Sequence, residues 1–141
     1  MCIRDRWWPG AEVRDLNGFC NLADDYHGRQ NEYWDNYESE LDDGYDHHAP
    51  VGSFGPNDFG LYEVIGNVSE WCRDRYGLYG AVPAVHGDGL RDNLDPERGE
   101  RVFRGGDFSH LARRARVTRR DARPPDHQDY HLGVRPARGL E

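Results

Sequence analysis

The stretch NDFGLYEVIGNVSEW, running from Asn57 to Trp71, is the only segment of this chain that combines dense glycine punctuation, aromatic anchors and spaced carboxylates. Gly60 and Gly66 mark points where the backbone turns or closely approaches another segment, because glycine alone takes positive φ without steric cost. Around them, Glu63 and Glu70 are spaced to present oxygens to a common point. A hard cation such as calcium takes its ligands from carboxylates and from the carbonyls that a bent loop turns inward. On spacing alone the plainer reading comes first, a turn-rich core segment with two solvated glutamates, because no calcium-loop motif matches.

Outward from that stretch, composition sets bounds. The 141 residues suffice for one domain with a real core and are too few for two comfortable ones. Only 36% are hydrophobic while 12% are aromatic. Burial is therefore expected to lean on Trp7, Trp8, Trp34 and Trp71, with Phe54, Phe59, Phe103 and Phe108, more than on aliphatic side chains. Seventeen glycines and eight prolines predict a loop-rich fold. A net charge of −8 argues against general nucleic-acid binding, which needs a basic surface to neutralise phosphate. The charge is unevenly placed: residues 1–100 carry 8 Arg against 21 acids, net −13, and residues 101–141 carry 10 Arg against 5 acids, net +5, so the two parts should attract. All eighteen cations are arginine, which bidentate carboxylate pairing and GC-rich codon usage explain equally well. No run approaches the length of a membrane-spanning helix. Three cysteines, Cys2, Cys20 and Cys72, match no zinc spacing, and a Cys20–Cys72 bridge or two free thiols both remain open.

Along the chain, the opening MCIRDR (1–6) resembles the translation of a transposase-adapter sequence used in DNA library preparation and is set aside from fold reasoning, so the true N-terminus is expected to be missing. Residues 17–48 show no sustained period and read as acidic loop, with Asn21 and the Asp42-Asp43-Gly44-Tyr45 turn as spots where side-chain and carbonyl oxygens could share a cation. APVGSF (49–54) reads as a short strand and Val64-Ile65 as a small apolar core element. From Trp71 to Gly99 the text is irregular, with turns at GLYG, PAVHGDGL and NLDPERG. RVFR (101–104) alternates as a strand, residues 111–123 form a strand or a short helix, and HLGVR (131–135) closes with a strand. His27, His47, His48, His86 and His127 read as surface residues of polar loops, and Asn67-Val68-Ser69 as a structural element rather than a glycosylation site.

Three motifs stand in order: GLYEVIGNVSEWCRD (60–74), RVFRGGDF (101–108) and LGVRPAR (132–138). Together they resemble the formylglycine-generating enzyme, or sulfatase-modifying factor, family. The resemblance spans residues 7–138, with 139–141 as a tail, and corresponds to the C-terminal part of the family domain. It implies an α+β fold, an elaborated C-type-lectin-like architecture, loop-rich with little regular secondary structure. It implies two structural calcium sites, the first from the Asn21 side chain, the Leu22 carbonyl, the Asp43 side chain and the Tyr45 carbonyl. The second would use Glu63, the Gly66 and Val68 carbonyls and Glu70.

The family's copper-binding cysteine pair is not matched, since Cys72 is the last cysteine and His110 stands where the first would fall. Formylglycine generation is therefore not expected of this chain. Ser69 and Arg116 are expected in the substrate cleft, and Asp107, His110 and His131 fall at cleft positions. Two histidines and a carboxylate are the ligand set of a non-heme Fe(II) centre, although ordinary polar rim residues fit the spacing better. An oxidoreductase-type family member, a non-catalytic lectin-like binding module and an incomplete fragment remain as competing expectations. The partners would be the N-terminal half of the same domain and a small-molecule or peptide ligand. Calcium sites suit an extracytoplasmic setting, and no sequence feature here specifies the compartment.

Overall fold

Four short strands, β1 (Ser69–Arg75), β2 (Arg101–Arg104), β3 (Asp121–Arg123) and β4 (Leu132–Gly133), form one sheet in the order β3-β2-β1-β4 in the computed structural model, which describes residues 6–78 and 99–136. β1 pairs antiparallel with β2, β2 antiparallel with β3, and β1 parallel with β4. The alternation in RVFR becomes β2 as expected. β1 was not legible, because Glu70, Arg73, Asp74 and Arg75 interrupt any apolar alternation. Its pairing with β2 and β4 makes it a strand, not its own propensity. Trp71 faces Phe103 across the β1–β2 ladder with rings 5.9 Å apart and nearly perpendicular, a cross-strand pair of the kind that adds about 0.2–1 kcal/mol. The register slips between Trp71 and Arg75.

The expectation of uninterrupted loop over residues 17–48 is corrected by α1 (Asp25–Gln30). Asp24 caps it, its carboxylate accepting from the His27 amide at 3.0 Å. A helix of six residues is too short to show a period, and its first turn carries no glutamate for a capping-box signature. His27, expected at the surface, lies on this helix and is buried. The strand expected at residues 49–54 is a turn closed by Ser53 N–H donating to Pro50 C=O at 3.2 Å. Residues 111–123 hold both alternatives in sequence, a 3-10 turn (Ala112–Ala115) and then β3. The closing strand shrinks to Leu132–Gly133. The turns expected beyond Tyr76 fall largely on residues 79–98, and the adapter-like start and the tail largely on 1–5 and 137–141, all outside the described residues.

The core gathers Trp7, Leu16, Leu22, Leu41, Ile65 and the alanines of the 3-10 turn, with Cys20 among them. Trp7 is 2% exposed and its indole N–H donates to Ala112 C=O at 3.0 Å. The expected reliance on aromatics holds for Trp7, Phe54 and Phe108, whereas Trp34 and Phe59 are exposed. Cys20 and Cys72 are both free thiols, which settles the open pairing. Of the expected attraction between the two charge blocks, the described ion pairs include one that crosses, Arg135 to Glu70 at 2.6 Å.

Candidate functional site

The central stretch is pinned against residue 21 by the backbone. Gly66 sits at φ +72°, and a Cβ built on it would lie 2.0 Å from the Asn21 carbonyl oxygen, so no other residue fits. Asn67 follows at φ +62° and its amide donates to that same carbonyl at 2.8 Å. Its side chain then binds both ends of Ala49, accepting from the Ala49 amide at 2.9 Å and donating to its carbonyl at 3.2 Å. The sequon is thus a buried tie between segments, as expected of a structural element.

At the first expected calcium set, Asn21 is fully buried, and its Nδ2 donates to His47 C=O at 2.7 Å and to Asn67 Oδ1 at 3.1 Å. Its Oδ1 is buried with no hydrogen-bond partner among the described residues. An orphaned buried carbonyl oxygen is costly, by about 1–3 kcal/mol, and an oxygen-seeking cation would satisfy it. Asp43 holds its place by accepting from the amides of Leu22 at 3.0 Å and Tyr45 at 2.8 Å, so the four expected contributors are neighbours. Burial, opposed by these amides and reinforced by nearby Asp24, pushes the Asp43 carboxyl up to about 7. Asp24, also raised mainly by burial, was missed by the sequence reading because the helix it caps was not legible.

The second set converges less fully. Glu63, at φ +47°, turns its carboxylate to the Gly52 and Phe54 amides at 2.7 and 3.5 Å. Glu70 is gripped by both arms of Arg135, at 2.8 and 2.6 Å, and the same guanidinium donates to Tyr62 C=O at 2.7 Å. A cationic partner for Glu70 is therefore already supplied by a residue that the LGVR motif contained and the sequence reading left without a role.

The cleft lies where β1, β2 and the loop after β2 meet. Parallel pairing of β1 with β4 seats Ser69 beside the chain at His131, whose carbonyl accepts from the Ser69 amide at 2.8 Å. Two adjoining cavities, about 190 and 90 Å³, share Ser69, Phe103, Asp107, His110 and Arg123 as lining, and His131 lines the smaller. The structure thus brings Ser69, Asp107, His110 and His131 together. Arg116 instead lines a neighbouring, larger cavity.

Asp107 is buried, and both of its oxygens lie 2.8–2.9 Å from His110 Nδ1. Burial alone would raise its carboxyl, but the His110 ring and the Ser109 hydroxyl outweigh that and hold it below the usual carboxylate range. His131 repeats the pattern with Asp129, Nδ1 to Oδ1 at 2.8 Å, and stacks on Phe108 at 5.1 Å between ring centres. The His131 amide and ring hold Asp129 low as well. The two imidazoles stand 6.3 Å apart between ring centres. Asp107 is engaged on His110, and among the described residues no group of three His, Cys, Asp or Glu side chains is placed to hold a metal.

A loop-rich α+β scaffold thus carries a cleft at the glycine-pair loop. Residues 5–140 match the sulfatase-modifying factor enzyme 1-like domain, and the chain belongs to that family. It is 41% identical over 99 residues to the formylglycine-generating enzyme of Thermomonospora curvata, covering 67% of this chain and 32% of that protein. It is 34% identical to the inactive C-alpha-formylglycine-generating enzyme 2 of Bos taurus, covering 71% of this chain and 30% of that one. The chain therefore spans about a third of the length of the curated relatives it matches. Among solved structures, PvdO from Pseudomonas aeruginosa superposes with a TM-score of 0.60 at 26% identity over 83% of this chain and 38% of that one. Treponema denticola variable protein 1 superposes with a TM-score of 0.61 at 23% identity over 92% of this chain and 39% of its own. These neighbours agree with the C-type-lectin-like α+β fold. No helix among the described residues is long and apolar enough to cross a membrane.

Proposed function

We propose that this chain is the cleft-bearing part of an oxidoreductase-type family member that acts on a small-molecule or peptide ligand and does not generate formylglycine. The observation that carries the reading is the pair of Asp–His couples facing one cleft whose described lining contains no cysteine. In each couple the carboxylate accepts from Nδ1–H, which leaves Nε2 with a lone pair for a substrate proton. A carboxylate held low stays ionised at neutral pH and favours that tautomer and the imidazolium that follows protonation. His110 is the proton acceptor in this reading, and His131, its ring held by stacking on Phe108, binds and orients the ligand. The electron acceptor of an oxidoreductase would come from outside the described residues, so no redox step is assigned to them.

Calcium at Asn21, Leu22, Asp43 and Tyr45 is part of the same proposal, supported by the orphaned Asn21 Oδ1. It would brace the 42–46 loop against the central stretch. At Glu63, Gly66, Val68 and Glu70 the Arg135 guanidinium shares the carboxylate, so the first set carries the calcium reading. A calcium-held scaffold suits an extracytoplasmic setting.

The test uses the full-length protein. Incubated with cysteine-containing peptides and an aldehyde-reactive hydroxylamine probe, it should form no aldehyde, and aldehyde formation would overturn the proposal. With a substrate found by screening, His110→Ala should lower turnover at least 100-fold while ligand affinity stays within about threefold. The similarity to an inactive relative favours one second reading, a non-catalytic binding module. Ligands that bind the cleft while the wild type turns none of them over would establish that reading instead.

A further inference from the structure

Beside the histidine cleft lies a cavity of about 690 Å³ whose lining includes Tyr76, Arg113, Arg114, Arg116, Arg119 and Arg120. We infer that this cavity is a subsite for the oxyanion of a small ligand, a carboxylate or a phosphate, whose other end reaches toward Ser69 and His110.

The arginines converge because the local sequence ARRARVTRR alternates what it buries. Ala112 and Ala115 of the 3-10 turn enter the core, which leaves Arg113 and Arg114 outside. Gly106 packs so closely beneath the turn that a Cβ there would come 2.9 Å from that of Ala115, which fixes the turn against the loop after β2. The following bend is closed by Arg119 N–H donating to Arg116 C=O at 2.9 Å. It is tied to β2 by Arg104, which donates to Val117 C=O at 3.2 Å and Arg119 C=O at 2.9 Å. Arg120 lies over the Tyr76 ring at 5.5 Å and donates to Gly77 C=O at 2.8 Å. The cationic wall is therefore built on fixed backbone.

Among the described residues the cavity's lining holds five arginines and no carboxylate. Asp121 is shared, accepting from Arg119 Nε at 2.9 Å and lying 3.6 Å from Arg114. Among the described residues Arg113 and Arg116 have no ion-pair partner, although the whole chain carries a net charge of −8. A planar guanidinium offers a fork that matches the two oxygens of a carboxylate or phosphate, and several in one concave site focus positive potential on it. The size is that of a small-molecule pocket. Arg114 and Arg119 also line the cavity that contains Ser69, Asp107 and His110, so the anion subsite opens onto the reacting end. Only the direction in which the ligand points rests on the cleft reading above; anion binding itself does not.

The experiment is calorimetric titration of the full-length protein with pyrophosphate and, separately, citrate, at about 0.15 M ionic strength, where exposed charges are screened. The stronger ligand identifies the phosphate or the carboxylate as the preferred anion. Saturable binding of at least one, weakened tenfold or more by Arg113→Ala and by Arg116→Ala and less by the corresponding lysine variants, is the expected result. Arg14→Ala removes an exposed arginine elsewhere and should leave affinity within twofold. Equal weakening by Arg14→Ala, absence of saturable binding, or preference for single-stranded RNA that grows with its length would each overturn the inference. His110→Ala should leave anion affinity unchanged. Loss of turnover with intact anion binding would thus bear on the cleft, and loss of anion binding with intact turnover would bear on this subsite alone.

Discussion

Asp107 shows how one residue's environment sets both its charge and its use. Burial would raise its carboxyl, but the His110 ring and Ser109 more than offset that and hold it below the ordinary carboxylate range. A depressed carboxylate contributes stability that is fully present above its unfolded value and disappears as pH falls through the lower folded value. Thermal melts of the full-length protein below about pH 4 should therefore show an acid-labile component that Asp107→Asn lacks. Identical acid limbs for the two proteins would remove Asp107 from the stabilising groups. Asp107, His110 and His131, named together from the sequence, line adjoining cavities, but the contact of Asp129 with His131 was invisible, since a polar loop residue signals nothing until β4 is paired.

At the scale of elements, the loop between Glu63 and Ser69 is held by a polar tie rather than by regular structure. Asn67 satisfies both backbone groups of Ala49 and one Asn21 proton, all buried. Asn67→Ala would orphan the Ala49 pair and place alanine at φ +62°, for a loss of roughly 3–4 kcal/mol. Urea unfolding measures it, and a loss under about 1 kcal/mol would mean that water replaces the tie. The glycines of this loop were readable, and so was the strand that alternates, RVFR. β1 and α1 were not, because one is a strand by partnership and the other a helix by a single cap and a packed face.

For the molecule as a whole, the calcium proposal makes stability depend on a bound ion as well as on the core around Trp7, Leu16, Leu22 and Ile65. Binding to the folded form alone adds about 2.7 kcal/mol at a hundredfold excess over Kd. Millimolar calcium should then raise the melting temperature of the full-length protein by roughly 5 °C or more over that in excess chelator. Asn21→Ala and Asp43→Asn should each remove most of that rise. An unchanged melting curve with chelator would end the calcium reading.

By itself the sequence determined the family and the loop-rich character of the fold, because glycine positions and ordered motifs are local and survive translation into any context. Tertiary structure alone decided that Asn67 ties Asn21 to Ala49, that Arg135 occupies Glu70, and that Arg116 belongs to an arginine cavity beside the cleft rather than to the cleft itself. Each is a contact between segments distant in sequence, and its partner is chosen by how the chain closes on itself. The stretch from Asn57 to Trp71 could announce its turns in advance, but not what those turns would meet.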